Sequence, residues 1–262
     1  LADACYPVGT VIDVRVTFSE PVFVTGTPQI TLDTTPTRTI NYSASSLDNL
    51  TLIFLYTVQN GDVAADLDYE ADSLVLNGGT IRDQAGNDAD LTTLPAPGAA
   101  GSLGANKDIC VDAVAPTVQS IVRLTPATQL TNTTVLTYRV TFSRNVNSVS
   151  TADFTWTDLN NAFPARFLFT VSAASGTVID VSGFTGFAPP AQGDLRLDVL
   201  AAFATIVDDI GNPLVANFTT GEIYSVDQIA PTVTPPTMND GDTEVTLVFN
   251  EEMDPVTAET AA

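Results

Sequence analysis

The chain has 262 residues, of which 31 are acidic and 9 basic, and it has no histidine, so its formal net charge is −22. This charge would repel a nucleic acid or an anionic membrane surface, and neither is expected as a partner. Hydrophobic residues make up 44% of the sequence, which is too many for an acidic disordered tail. Length and composition therefore favour folded domains, about two of ordinary size.

Cys5 and Cys110 are the only cysteines in the sequence. In an acidic chain that is poor in lysine, we interpret them as a disulfide formed in an oxidising compartment. Two unpaired, buried thiols are the alternative. A bridge between them would close a loop of about 105 residues, which corresponds to ~4 to 5 kcal/mol in the loop-entropy model. The most apolar segment, 199–207, is too short to cross a bilayer, so membrane insertion is not expected.

Three segments of the chain resemble one another: 11–22 (VIDVRVTFSEPV), 135–146 (VLTYRVTFSRNV) and 244–256 (EVTLVFNEEMDPV). Each begins with apolar residues at alternate positions. In the first segment Ile12 and Val14 point to one side, whereas the polar residues between them point to the other. This period of two predicts a half-buried strand near the start of each segment.

Two further pairs of segments support an internal repeat. Segments 109–118 (ICVDAVAPTV) and 224–233 (YSVDQIAPTV) match at a spacing of 115 residues. Segments 81–88 (IRDQAGND) and 206–213 (IVDDIGNP) also match, and Gly-Asn after aspartate marks a turn between strands. Short alternating strands and turn clusters lie between these anchors. The sequence therefore predicts an all-β chain built of tandem Greek-key β-sandwich domains.

Three of these stretches together, 13–22, 76–88 and 111–118, resemble bacterial immunoglobulin-like repeats. Such repeats recur in very large adhesins, in biofilm proteins and in other repetitive surface proteins. The resemblance implies immunoglobulin-like Greek-key sandwiches in tandem over nearly the whole chain. The predicted divisions are domain 1 over 1–115, domain 2 over 116–230, and the opening strands of a third repeat or a donated strand segment over 231–262.

The chain begins and ends out of phase with its own repeat. Residues 116–124 precede the alternating strand of domain 2, whereas only residues 1–10 precede that of domain 1. Domain 1 is therefore predicted to lack its first strand, and 232–262 to supply an extra one. One interpretation is that this segment is donated to the next copy and builds a head-to-tail fibre. The other is that a longer protein was cut at arbitrary points.

Acidic residues gather at the predicted joints between domains. Carboxylate and carbonyl oxygens suit Ca²⁺, which binds roughly six to eight of them, and similar repeats often use calcium in this way. The alternative is a solvated acidic surface. Arg144 stands where the first repeat has Glu20, which makes a ligand at that position of the second repeat doubtful. The predicted calcium ligands are Asp83, Asp88, Asp112, Asp208, Asp209 and Asp227.

Enzyme signatures are missing from the sequence. A chain without histidine has no histidine-based triad, and it contains no GxSxG elbow, phosphate loop or CxxC pair. We therefore expect a non-enzymatic, secreted structural or adhesive protein at the cell surface, either the stalk of an adhesin or a filament subunit. Its expected partners are copies of itself or ligands on host or biofilm surfaces.

A carbohydrate- or protein-binding surface module is the alternative function. An aromatic face could bind sugars, although such residues more often form a core. The aromatic residues that would form this face are Phe154, Trp156, Phe163, Phe167 and Phe169.

Overall fold

The computed structural model describes residues 1–163, 168–184, 192–235 and 246–253. The chain is nearly all-β and forms several sheets, as a β-sandwich does. Buried apolar side chains form two separate clusters. The first core takes its buried residues from Ile12 to Ala113, and the second core takes them from Ile121 to Val226.

The strands around the first core form three sheets. A four-stranded sheet has the order β2-β6-β5-β4, a three-stranded sheet has the order β1-β9-β7, and β3 pairs with β8. Strand β1 runs parallel to β9. The connection from β8 to β9 contains a 3₁₀ helix (Leu91–Thr93) and the short helix α1 (Leu103–Asn106). The strands are β1 (Ala4–Tyr6), β2 (Val11–Thr17), β3 (Phe23–Thr25), β4 (Gln29–Leu32), β5 (Arg38–Ser45), β6 (Thr51–Thr57), β7 (Val63–Ala64), β8 (Thr80–Arg82) and β9 (Ile109–Asp112).

The second core lies between two larger sheets. One has the order β10-β12-β15-β14, with β17 also paired to β12, and the other has the order β11-β18-β16-β13. Strand β11 runs parallel to β18. A 3₁₀ helix (Thr151–Asp153) precedes β13. The strands are β10 (Val118–Thr125), β11 (Leu130–Thr131), β12 (Val135–Asn147), β13 (Phe154–Asp158), β14 (Leu168–Val171), β15 (Gly176–Phe184), β16 (Gln192–Val199), β17 (Val207–Asp208) and β18 (Ile223–Asp227).

The alternating pattern of the sequence matches burial in β2 and β12. Ile12 and Val14 of β2 enter the first core, and Leu136 and Tyr138 of β12 enter the second. The residues between them are exposed or half-buried. The half-buried strands predicted for these two segments are therefore confirmed. None of the helices within the described residues is long and apolar enough to span a membrane.

The predicted disulfide is confirmed. The parallel pairing of β1 and β9 sets Cys5 directly opposite Cys110, and the two sulfur atoms are bonded. The two residues are 105 positions apart, so the bridge closes almost all of the chain that forms the first core. Both ends of this part of the chain are held together covalently.

Strand β2 lies at an edge of its sheet, whereas the matching strand β12 does not. Within the described ranges β2 pairs only with β6, but β12 pairs with β15 on one side and with β10 on the other. The difference is visible in burial. Val140 and Phe142 of β12 are 0% and 2% exposed, while their counterparts Val16 and Phe18 are only half-buried. The first core is therefore open along β2.

The last part of the chain forms one short antiparallel pair, β19 (Val233–Thr234) and β20 (Val248–Phe249). Val233 lies opposite Phe249 in this pair, just as Val118 lies opposite Phe142 between β10 and β12. Residues 236–245 and 254–262 of the predicted third segment lie outside the described residues.

Reduction of the disulfide is expected to destabilise the first core by up to ~4 to 5 kcal/mol, because the unfolded chain then regains the entropy of a long open loop. Urea unfolding followed by circular dichroism, with and without a thiol reductant, measures the difference. The Cys5→Ala/Cys110→Ala double variant is the control and should unfold like the reduced protein under both conditions. Identical unfolding of oxidised and reduced wild-type protein would contradict this expectation.

Candidate functional site: the joint between the two cores

The two cores are connected by a polar cluster that we call the joint. It consists of Val8 and Asp112 from the first part of the chain and Arg144, Asp208 and Asn212 from the second. Four of its members, Asp112, Arg144, Asp208 and Asn212, lie in segments that recur along the sequence. The joint is therefore built largely from the repeat itself.

A tight turn after β17 organises the joint. One carboxylate oxygen of Asp208, Oδ1, accepts hydrogen bonds from the backbone N–H groups of Ile210, Gly211 and Asn212 at 3.0, 2.9 and 2.8 Å. Gly211 has a φ of +106°, a conformation that residues with a side chain rarely adopt. The Asp-x-x-Gly-Asn pattern thus folds locally into a turn that presents the side chain of Asn212.

Asn212 joins the two parts of the chain through its side-chain amide. Its Nδ2 donates to the backbone oxygen of Asp112 at 2.8 Å and to Oδ2 of Asp208 at 3.0 Å. Its Oδ1 accepts from the backbone N–H of Val8 at 3.0 Å. The residue is completely buried. Because a buried amide that loses its partners is destabilising, these bonds hold Asn212 in one position.

Arg144 supplies the positive charge of the joint. Its Nη1 donates to Oδ2 of Asp208 at 2.9 Å and to Oδ2 of Asp112 at 3.1 Å. The side chain of Asp208 is only 2% exposed, so its charge requires such a partner. One guanidinium therefore links carboxylates from the two parts of the chain.

The environment of Asp208 has two opposing effects on its ionisation. Burial raises the pKa of this carboxyl, but the hydrogen bonds from Asn212 and Arg144 lower it by more. The pKa of Asp208 therefore lies below its ordinary value. The folded protein holds this residue as a carboxylate, which is the form that the joint needs.

The first part of the chain contains the same turn. Oδ1 of Asp83 accepts from the backbone N–H of Asn87 at 2.8 Å, and Oδ2 accepts from its side-chain Nδ2 at 2.7 Å. Gly86 has a φ of +93°, like Gly211. Asn87 differs from Asn212 in being exposed, since no joint covers it among the described residues.

The six predicted calcium ligands do not form one cluster. Asp112 and Asp208 meet at Arg144, Asp83 and Asp88 lie on the exposed turn, and the other two bond to amides elsewhere. Among the described residues no group of three or more acidic or cysteine side chains is placed to hold a metal ion. Calcium binding remains a prediction. The neighbours of the remaining aspartates are Arg82 for Asp88, Asn145 and Asn147 for Asp209, and Gln192 for Asp227.

Three members of the joint, Val8, Arg144 and Asn212, are not among the ligands predicted from the sequence. The sequence distinguishes Arg144 only as a departure from Glu20, and Asn212 only as a polar residue of the turn near the second predicted joint. A signal for Arg144 is present, since the chain has only 9 basic residues and this one lies at a repeated position where the other two copies have glutamate. The bond to the backbone of Val8 carries no such signal, because no side chain of Val8 takes part.

The aromatic residues considered for sugar binding belong to the second core. Phe154, Trp156 and Phe163 are 4%, 6% and 9% exposed, respectively. Phe169 stacks on Trp156 with ring centroids 6.0 Å apart. Phe167 lies outside the described residues. The described members of this set therefore pack internally and do not form an exposed platform.

No family model matches the chain, and no curated protein matches it. The function must therefore be argued from the joint and from the sheets around it.

Replacing Arg144 with alanine is expected to destabilise the protein by about 3 kcal/mol, because the buried carboxylate of Asp208 loses its charged partner. The loss falls at the lower end of the usual range because the bonds from Asn212 and the turn remain. Urea unfolding followed by Trp156 fluorescence measures the effect in the second core. The control is Arg139→Ala, which removes a more exposed ion pair with Asp180 from the same strand and should cost less than about 1 kcal/mol. Equal losses of stability in the two variants would show that the ion pairs of Arg144 contribute no more than an exposed ion pair.

Acid is expected to weaken the joint. Because the pKa of Asp208 is lowered by folding, its contribution to stability is present above the unfolded pKa of about 3.9 and is lost as the pH falls through that value towards the folded pKa. The free energy of unfolding, measured from pH 7 down to pH 2, should fall less steeply below about pH 4 in Asp208→Asn than in the wild type. Parallel curves for the two proteins would contradict this assignment.

Proposed function

We propose that the chain is a non-enzymatic, secreted structural module of the cell surface, acting as the stalk of an adhesin or as a filament subunit. The observation that carries the proposal is the joint. A flexible linker between two independent domains needs no buried polar network, whereas a spacer that must keep its direction does. Asn212 and Arg144 provide such a network between successive parts of the chain.

Recurring strand pairings support tandem immunoglobulin-like Greek-key domains within this proposal. In both parts the short strand just before the VTFS strand runs parallel to the last strand, β1 on β9 and β11 on β18. In both parts the strand with the VTFS motif pairs antiparallel with a long neighbour, β2 with β6 and β12 with β15. A fold used twice in this way fits a repetitive surface protein.

The disulfide and the charge support a location outside the cell. Disulfides persist in oxidising compartments and are rare in the cytosol. A net charge of −22 favours solubility and repels other acidic polymers, which suits a protein that works at a crowded surface. Neither feature indicates catalysis, and the proposed role requires none.

At the joint, Arg144 takes the electrostatic role that was expected for calcium. A cation between Asp112 and Asp208 reduces the repulsion of their carboxylates, and the guanidinium supplies that charge from within the chain. The stiffness of this joint should therefore not depend on a divalent metal. Calcium binding elsewhere, at the turn that carries Asp83 and Asp88, is a separate proposal.

Small-angle X-ray scattering of the monomer tests the spacer function. The wild-type protein should scatter as one stiff particle, with the same maximum dimension in calcium and in a chelator. Arg144→Ala should give a broader distance distribution, because the two cores can then reorient. Arg139→Ala is the control and should scatter like the wild type. A wild-type profile as broad as that of Arg144→Ala would remove the basis of the proposal.

A further inference from the structure

The open edge of β2 borders a groove, whereas β10 occupies the corresponding edge of β12. Between β2 and the connection that leads to β9 the groove has a volume of about 600 Å³. It continues as a second hollow of about 440 Å³ that reaches the turn with Asp83 and Asn87, and both hollows share Val16 and Thr17. Its apolar lining includes Ile12, Val14, Val16, Leu94 and Leu103.

The second part of the chain shows what fills this position. There β10 pairs antiparallel with β12, and its Ile121 is buried in the second core with 2% exposure. The backbone N–H of Ser143 also donates to the oxygen of Thr117 at 2.9 Å. The occupant is thus an extended segment that follows directly after Asp112 of the joint.

The chain carries a second version of the beginning of that segment, up to the residue equivalent to Val118. Residues 224–233 match residues 109–118, and β19 follows Asp227 as β10 follows Asp112. Within the described residues β19 pairs only with β20, over two residues, and Val233 and Phe249 remain 44% and 40% exposed. Among the described residues, the β19–β20 pair therefore makes few contacts with the rest of the chain and exposes apolar side chains.

Resting on the proposed structural role, we propose that residues 227–235 of one copy lie in the groove beside β2 of a second copy. Val233 is then placed opposite Phe18, as Val118 is placed opposite Phe142. β20 corresponds to the end of β2 in the repeat. On docking, β19 therefore leaves β20 and pairs with the equivalent strand, β2, of the second copy. Backbone hydrogen bonds to β2 replace those that β19 made with β20, and the half-buried Val16 and Phe18 become more buried.

The exposed turn extends the contact beyond the strand. Asn87 is held by Asp83 in the same way as Asn212 is held by Asp208. When Asp227 of the other copy takes the place of Asp112, its backbone oxygen comes within reach of the Asn87 amide. Residues 227–235 would therefore fill the groove and also supply a hydrogen-bond acceptor to the turn.

Charge makes this contact weaker than the joint within the chain. Glu20 occupies the position of Arg144, so Asp227, Asp83 and Glu20 would approach one another without the guanidinium that neutralises the internal joint. Screening by salt should therefore strengthen the association. Substituting arginine at position 20 should strengthen it further.

Two different surfaces meet in this contact, so it does not close on itself. The groove lies in the first part of the chain and the docking segment lies at its far end. Such heterologous contacts extend head to tail when the rotation between copies does not form a ring. The expected product is a linear chain of copies.

Sedimentation velocity of the full chain over a range of protein concentrations tests the contact. The wild type should form oligomers that grow with protein concentration and with added sodium chloride, and Glu20→Arg should associate about tenfold more tightly, a difference of about 1.4 kcal/mol. Leu168→Lys, which removes an exposed apolar residue from another sheet edge, is the control and should associate like the wild type. A wild type and a Glu20→Arg variant that both remain monomeric would overturn the proposal.

A proline at position 17 tests the role of the free strand edge. Phe18 donates its N–H to Leu50 on the β6 side at 2.8 Å, so the N–H of Thr17 points towards the groove. Thr17→Pro removes this donor and the exposed side-chain bond to Thr51 but leaves the backbone bonds to β6 in place, and prolines are tolerated on edge strands. It should abolish association while leaving thermal unfolding nearly unchanged. Undiminished association of the folded variant would place the contact on another surface and overturn the proposal.

A cysteine pair tests the register without depending on the proline variant. Phe18→Cys combined with Val233→Cys should give a ladder of disulfide-linked multimers on a non-reducing gel, whereas each single variant should stop at a dimer. A double variant that gives no ladder would overturn the proposed pairing. The scattering test uses monomers, so the spacer function could still stand if this contact failed.

Discussion

The buried carboxylate of Asp208 is the constraint on which the joint depends. A charge with 2% exposure is tolerated only where hydrogen bonds and an opposite charge replace its hydration. Three backbone N–H groups and the amide of Asn212 meet this need within the turn, and Arg144 meets it from β12. Satisfying this one group fixes the turn, the arginine and, through the arginine, Asp112 of the preceding part.

A second buried carboxylate, Asp62, serves the first core alone. It accepts from Arg38 at 2.7 Å and from the hydroxyl of Tyr56 at 2.6 Å, and it is completely buried. All three residues belong to the same part of the chain, so this network holds one core together and connects it to nothing else. Asp208 differs from Asp62 because its partner Arg144 also binds Asp112 of the first part.

The all-β class, the alternating strands and the disulfide could be predicted from the sequence, because their signals are simple. The alternation in β2 and β12 is a property of consecutive residues, and the two cysteines left only one intramolecular pairing to consider. Ion pairs are different, because they depend on distances between segments far apart in sequence. The acidic residues that were grouped from their positions in the repeat therefore separate in space, and Asp209 and Asp227 bond to neutral amides instead.

The two equivalent turns show how one neighbouring residue determines whether the site beside the turn binds a carboxylate. The turns of Asp83 and Asp208 have the same internal bonds, so their geometry does not distinguish them. What differs is the neighbour in the repeat, Glu20 in one case and Arg144 in the other. Arg144 forms an ion pair with the carboxylate of Asp112 from the preceding part, and the joint forms within the chain. Glutamate leaves the same geometry with an unfavourable charge, so the position that binds a carboxylate at Arg144 would repel one at Glu20.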